Sequence, residues 1–385
     1  MKENSKLNFG DVKAYNQMQV LRHIYISGKK GISQSSIARL TSLSAPSAFR
    51  IFTTLEESGL IKPLANTATF TSKGRQPVDY CINEDYLYKY GIEITKTSVT
   101  FALYNFANDC LDTQVHFTEG KNADELLTII IQTVNEMNRT NNINIDKFFG
   151  IGVALHGIID IKSGVVLSSD KIAGMQDYPL KEKLTNALNC HISVRNIAES
   201  YSYHQFKYNS NLKDKSIFTL LLNNQIDGSF IQNNRIYTDS KGYSVDIGHL
   251  LIDPKGPVCS CGETGCLEAL VFNIEGEYNP NILLNLGKQI TTDLSRLDII
   301  TDKIVDYITV VYRNINRLFN PECLLISTNN IDISRIIKNK LTIQMKKFGS
   351  KYSNDTEKPI LANEYDVHSC LRGVSELLLA ENFNN

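Results

Sequence analysis

The first eighty residues carry the period of helices. Val20, Leu21 and Ile24 recur along one helical face, and the run Gly28 to Gly31 ends it. Ser33 reads as the N-cap of a second helix that turns Ile37 and Leu40 inward. A brief Thr41-Ser42-Leu43 turn leads to Ser44, another N-cap. The spacing then predicts a third helix from Ala45 to Glu57, with Ala48, Ile51, Phe52 and Leu55 on its inner face and Gly59 as its stop. Strand patterns follow at Leu60-Ile61-Lys62 and Val78-Asp79-Tyr80, flanking the polar loop Ser72-Lys73-Gly74-Arg75-Gln76-Pro77.

From Tyr86 the pattern changes to strands alternating with helices. Tyr90 to Tyr104 reads as a hairpin, Ala123 to Asn138 as helix, Gly150 to Leu155 as strand, and Leu180 to Leu188 as helix. Strands are predicted at His191 to Arg195, Ile217 to Leu222 and Leu324 to Ser327, and a helix from Asp302 to Phe319, ending at Pro321. Such alternation predicts an α/β body of two lobes. At 385 residues the chain is too long for one core. The expected units are an N-terminal module over residues 11–83, a first lobe over 86–200 and a second over 201–385. The second would include a helix at Val367 to Ala380, whose Leu371, Val374, Leu377 and Leu378 either join subunits or close the body.

The charge is unevenly placed. Residues 1–80 hold eleven Lys and Arg against five Asp and Glu, a net of +6, whereas the remainder carries −7. A basic module on a mildly acidic body points to phosphate contact by the module alone. Two helices joined by so short a turn form a helix-turn-helix, and the strands around a Lys-Gly-Arg loop add a wing. With Ser44 at its tip, the third helix would turn Ala45, Ser47, Phe49 and Arg50 toward double-stranded DNA. Arg50 is the expected base or phosphate contact, and Lys73, Gly74 and Arg75 would reach the minor groove. The competing reading is a three-helix protein-interaction module with a solvated loop. The first ten residues hold no apolar leader, and no stretch nears the ~18 apolar residues of a membrane span. A cytoplasmic protein without membrane contact is expected.

Eight cysteines in such a chain are not read as a disulfide framework. Cys81, Cys110, Cys190, Cys323 and Cys370 stand singly and read as small buried hydrophobes. Cys259, Cys261 and Cys266 crowd into eight residues, after Gly248-His249-Leu250-Leu251-Ile252-Asp253. This stretch, with its Cys-x-Cys-Gly-x-x-Gly-Cys-x-Glu spacing, resembles the ROK family of sugar kinases and sugar-responsive repressors. The likeness extends to Gly150-Ile151-Gly152-Val153 with Gly157-Ile158-Ile159-Asp160, to Leu318-Phe319-Asn320-Pro321-Glu322, and to Gly74-Arg75-Gln76-Pro77, the last similar to the family's repressor branch. Chemistry supports the same reading. Three thiols and the imidazole of His249 make a closed tetrahedral set, the mark of structural zinc. Unliganded thiols or a redox pair are the alternative, against which Cys259 and Cys261 are too close for an easy disulfide.

The resemblance implies an actin-like, sugar-kinase-like (ribonuclease H-like) body behind a winged helix-turn-helix. It also implies what a kinase would need and this chain lacks. Family kinases open with an Asp-x-Gly-x-Thr hairpin, and here stands Glu93-Ile94-Thr95-Lys96-Thr97. The Gly-rich second phosphate loop is Asn223-Asn224-Gln225-Ile226-Asp227-Gly228-Ser229, where Asp227 would repel phosphate. Ser327-Thr328-Asn329-Asn330 lacks the nucleotide-contacting Gly-Gly pair. The catalytic Asp of the kinases' Asn-Asp is replaced in Asn196-Ile197, and isoleucine cannot remove a proton. Glu199, two residues on, is expected to be aimed elsewhere. The chain is therefore expected not to be an enzyme.

What the resemblance carries over is a sugar pocket at Asn196, Asp246, His249 and Glu268. The expectation is a homodimeric or tetrameric repressor of sugar metabolism genes, bound to an operator and controlled by a sugar or sugar phosphate. Two alternatives stand beside it: control by a protein partner such as a sugar-transport component, and a weak kinase.

Overall fold

A computed structural model of the chain describes residues 9–64, 78–169, 171–288, 290, 292–347 and 358–383. The N-terminal module contains α1 (Phe9–Ser27), β1 (Ile32–Ser33), α2 (Gln34–Thr41), α3 (Ala45–Glu57), β2 (Ile61–Pro63) and β3 (Asp79–Ile82). The strands form an antiparallel sheet in the order β1-β3-β2. Ser33 caps α2 by accepting from the Ser36 amide, and Ser44 caps α3 by accepting from the Ser47 amide. Between them Ser42 adopts a left-handed conformation that closes the turn. Ala48, Ile51, Phe52 and Leu55 are buried, as the periodicity requires, but Leu40 is 58% exposed. Only eight residues long, α2 buries a single stripe, and Ile37 fills it.

The first lobe holds β4 (Tyr88–Ile94), β5 (Ser98–Asn105), β6 (Cys110–Phe117), α4 (Ala123–Thr140), β7 (Phe148–Leu155), β8 (Ile158–Asp160), β9 (Val165–Ser168), α5 (Leu180–Leu188), β10 (His191–Asn196) and α6 (Ile197–Tyr208). Its main sheet runs β10-β7-β4-β5-β6, with β7 parallel to both β4 and β10. The second lobe holds β11 (Ile217–Leu222), β12 (Ile226–Gln232), β13 (Arg235–Ile236), α7 (Leu267–Phe272), α8 (Ile282–Lys288), α9 (Leu294–Leu318), β14 (Cys323–Thr328), α10 (Ile331–Lys347) and β15 (Ile360–Glu364), and α11 (Val367–Phe383) follows it in the chain. Its sheet runs β13-β12-β11-β14-β15. Helix α9 starts at Leu294, ahead of the expected Asp302, because Asp293 caps it by accepting from the Arg296 amide.

Helix α11 departs from the sequence-based division. It lies on β4, β7 and β10 of the first lobe and packs along α6. Cβ atoms on Gly91 and Gly152 would stand 2.0 Å from Leu371 O and 2.4 Å from Val374 O, so glycine is what lets the helix lie this close to the sheet. Leu371, Val374 and Leu378 are fully buried there, so the apolar stripe of α11 closes the body. Burial of each such side chain is worth about 1.5–3 kcal/mol. Of the single cysteines, Cys81, Cys323 and Cys370 are buried. Cys110 is exposed on the edge strand β6 and Cys190 is half-buried, so those two are not core residues.

The module is not tethered loosely. Val20, Ile24, Ile51 and Phe52 share one apolar cluster with Leu87, Phe106 and Leu379 of the body. Among the described residues no helix is long and apolar enough to cross a membrane.

Candidate functional site

On the module, Ser44, Ala45, Ser47, Phe49 and Arg50 are all exposed, Phe49 at 59%. The hydroxyls of Ser44 and Ser47 lie 2.8 Å apart at the tip of α3, whose first turn carries no acidic residue. The Ser47 amide is taken by the Ser44 cap and Pro46 has no N–H, so what this helix start offers a phosphate is two exposed hydroxyls and the positive end of the helix dipole. Lys73, Gly74 and Arg75 of the expected wing lie outside the described residues.

In the second lobe the loop after β13 folds back on itself through bridges between Leu251 and Cys266 and between Val258 and Thr264. Gly265 has φ +79°, and a Cβ there would stand 1.6 Å from Asp253 O. Only glycine permits the fold-back that brings Cys266 to the other sulfurs. The ligand atoms of His249, Cys259, Cys261 and Cys266 all lie within 4.8 Å of one another. Cys259 Sγ stands 3.3 Å from His249 Nδ1, and Cys261 Sγ 3.7 Å from Cys266 Sγ. A tetrahedral ion with metal–sulfur bonds of about 2.3 Å has edges of about 3.8 Å, so these separations match a metal cage. They are far too long for a disulfide. Burial, then the neighbouring Cys261 and Cys259, push the Cys266 thiol up to about 12, so it stays protonated at neutral pH unless a cation arrives.

Between the lobes lies a cleft of about 500 Å³. Asn196, Asp246, His249 and Glu268 all line it, so the four residues named from the resemblance are brought together. Each arrives by a different route. Asn196 caps α6, its Oδ1 accepting from the Ala198 amide at 2.7 Å, while its Nδ2 donates to Asp227 at 2.8 Å and to Gly157 O at 3.2 Å. Glu268, in the first turn of α7, accepts from the Ile226 amide at 2.9 Å and from Lys171 at 3.3 Å. Burial pushes its carboxyl up, opposed by Lys171. His249 turns Nδ1 to Cys259 Sγ and also lines the cleft. Burial works against its charge, but Asp246 and Cys259 outweigh burial and hold it above the ordinary value.

Sequence reasoning missed how the floor is built. His156 directly follows β7 and carries no motif of its own, and Asp227 reads in the sequence only as a charge against phosphate. The two form a hydrogen-bonded ion pair in the cleft, with Asp227 contributed by the second lobe and His156 by the first. Both are nearly enclosed. Burial disfavours charge on each, yet the partner overrides it, raising His156 and lowering Asp227. A signal existed in the run Leu155-His156-Gly157, where a polar residue ends an apolar strand just before a glycine at φ 129°.

Other residues lie apart from the cleft. The side chain of Ile197 is 1% exposed and packs with Ala154, Tyr201 and Val374 between the lobes. Glu199 is equally buried and sits 3.6 Å from Arg195, outside the cleft lining. Glu93 is buried at the end of β4, where it accepts a hydrogen bond from Tyr365. Tyr365 in turn packs on Tyr201, with ring centroids 5.2 Å apart.

The fold and cleft together define a two-lobed actin-like protein with an N-terminal helix-turn-helix module. The chain belongs to the ROK family, whose sequence profile matches residues 89–381. It is 23% identical over 367 residues to the xylose repressor of Bacillus spizizenii, covering 92% of this chain and 91% of that one. Among solved structures it resembles a ROK family transcriptional regulator described as a homologue of the Escherichia coli Mlc protein. The TM-score is 0.78 at 18% identity, with 97% of this chain and 100% of that chain covered. A ROK glucokinase from Streptomyces griseus, solved with glucose and AMPPNP, matches with a TM-score of 0.62 at 17% identity. That match covers 98% of the kinase but 75% of this chain. The ROK profile begins at residue 89, so the helix-turn-helix module lies outside it.

Proposed function

We propose that this chain is a sequence-specific DNA-binding transcriptional regulator, a repressor of sugar metabolism genes controlled by a sugar or sugar phosphate in the interlobe cleft. The observation that carries this is the joining, in one chain, of an exposed helix-turn-helix face to a two-lobed body with a polar cleft. Relatives of matching length are named as repressors, among them the xylose repressor above. Ser44, Ala45, Ser47, Phe49 and Arg50, with Lys73, Gly74 and Arg75, face the operator. Asn196, Asp246, His249 and Glu268 bind the effector's hydroxyls. A homodimer or tetramer in the cytoplasm sets two winged helices on a pseudo-palindromic site. The effector acts only by binding one arrangement of the lobes more tightly than another.

The cage of His249, Cys259, Cys261 and Cys266 holds zinc. Bound there, the ion supplies structure and not catalysis, because four protein ligands leave no open position.

The body is not a kinase in this reading. Ile197 stands where the family's base belongs and is locked in apolar packing. Tyr365 covers Glu93, and the Asp227 carboxylate is committed to His156 and Asn196. No ATP-dependent phosphorylation of any sugar is expected in a coupled ADP assay. Turnover that vanishes on Asp227→Asn, with zinc content unchanged, would show that Asp227 has taken over as base.

One observation favours a second mode of control. Asn196 and Glu268 already spend their hydrogen bonds on Asp227, Gly157, Ile226 and Lys171. A cleft so satisfied without ligand also suits a repressor titrated from DNA by a protein partner such as a sugar-transport component. Selection of bound fragments from sheared genomic DNA, repeated at two salt concentrations and with a sugar panel, separates these readings. Salt-sensitive selective binding relieved by one sugar supports effector control, whereas selective binding that no sugar alters supports the partner. Arg50→Ala is expected to weaken selective binding by about 1–3 kcal/mol, and binding with no fragment preference would sink the regulator reading.

A further inference from the structure

A second cavity, of about 340 Å³, lies where α1 of the winged helix meets the body. Its volume falls in the range of small-molecule sites. Three cations reach it from three separate elements: Arg22 from α1, Lys207 from α6 and Arg235 from β13. Among the described residues none of the three is ion-paired to a carboxylate. The Asn233-Asn234 turn, with both residues in the left-handed region, fixes the hairpin that carries Arg235. Burial lowers the Lys207 ammonium; Glu376 pulls it back up and Arg22 lowers it further. Like charges facing one partly enclosed space are unfavourable until an anion enters it.

The rest of the lining says what kind of anion fits. Phe106 and Tyr203 give the cavity aromatic walls, which an inorganic ion would not use. The Tyr203 hydroxyl makes no hydrogen bond within the described residues. Glu376 is 5% exposed, and its Oε1 accepts from Tyr208 at 2.5 Å, Asn108 at 2.9 Å and Tyr25 at 3.5 Å. Its Oε2 has no donor among the described residues. An unmatched buried carboxylate oxygen beside a cavity calls for a donor, and a hydroxyl supplies one.

We propose that this cavity is a second ligand site, for a small organic phosphate of the sugar-phosphate class. The phosphate bridges Arg22, Lys207 and Arg235, the carbon skeleton lies against Phe106 and Tyr203, and hydroxyls donate to Glu376. Because Arg22 belongs to the winged helix and the other groups to the body, the ligand braces one against the other. Its occupancy is independent of the cleft, while its effect on DNA rests on the regulator reading.

The test is calorimetric titration of the full chain with glucose 6-phosphate, ribose 5-phosphate and fructose 1,6-bisphosphate, with glucose and inorganic phosphate as controls. At least one organic phosphate is expected to bind with Kd at or below about 1 mM. That affinity should fall about tenfold or more in Lys207→Ala and in Arg235→Ala, as expected for loss of a charge-assisted contact. Asp246→Asn should remove only binding at the cleft, so the component of binding lost in Lys207→Ala and Arg235→Ala should persist in it within about twofold. Arg235 is exposed, so its variant keeps the test sound if Lys207→Ala disturbs folding. Binding that Asp246→Asn removes and Arg235→Ala spares would place the ligand in the cleft and overturn the proposal. Equal binding of inorganic phosphate, or none by the three organic phosphates, would overturn it as well.

Discussion

Cys266→Ser is expected to lower the melting temperature by about 10 °C, corresponding to roughly 3–5 kcal/mol for a unit of this size. Cys266 is 1% exposed and opens α7, the helix whose Glu268 faces the cleft. Serine keeps the shape of the side chain but removes a thiolate ligand, so the loop from His249 to Cys266 loses the cage that pins its fold-back. A strong chelator should reproduce the shift in the unaltered protein and add little to the variant. Elemental analysis should find about one zinc per chain, as a single four-ligand cage requires. If melting is the same with chelator, without it and in the variant, the cage holds no structural ion. The effect should also reach the cleft, since His249 belongs to both.

Asp227→Ala is expected to cost about 3–5 kcal/mol in urea unfolding, the usual result of removing one partner from a buried ion pair. It strips His156 of its counter-charge and Asn196 of an acceptor in one step. The pair also dictates a pH window. His156 is raised above its ordinary 6.5, so its contribution is complete below that value and is lost as pH rises through the raised pKa. Asp227 is lowered below 3.8, so its contribution is present above that value and is lost as pH falls through the lowered pKa. The closed cleft is therefore most stable between those limits, and mild alkali should loosen it. Stability followed from pH 6 to 9 should decline in the unaltered protein and lie flatter in Asp227→Ala. A variant as stable as the parent, with the same pH profile, would mean that the two lobes do not depend on this pair.

Much of the architecture is legible in the sequence. The bounds of α3, α5 and β11 follow from apolar spacing, N-caps and stop residues, which act within a few residues of one another. The His-Cys cluster that could hold a metal was legible for the same reason, since its three cysteines lie within eight residues and the glycines that bend the loop lie between them. The four cleft residues were legible only through the family resemblance, because they come from elements far apart in sequence.

Elsewhere local pattern ran out. An apolar stripe on α11 says that the helix must be covered and not by what; its assignment to the first lobe's sheet rests on Gly91 and Gly152, nearly three hundred and more than two hundred residues away. Leu40 fits a helical period, yet α2 is too short to bury it. Asp227 reads as a misplaced charge until His156, from the other lobe, is seen beside it. The sequence alone determined the helix-turn-helix, the alternating body and the His-Cys cluster that could hold a metal, because hydrogen bonding, periodicity and tight turns are settled by near neighbours. Tertiary structure alone decided which lobe α11 closes, how the cleft's floor is neutralised and where the winged helix is braced, because those depend on distant side chains meeting where water is excluded.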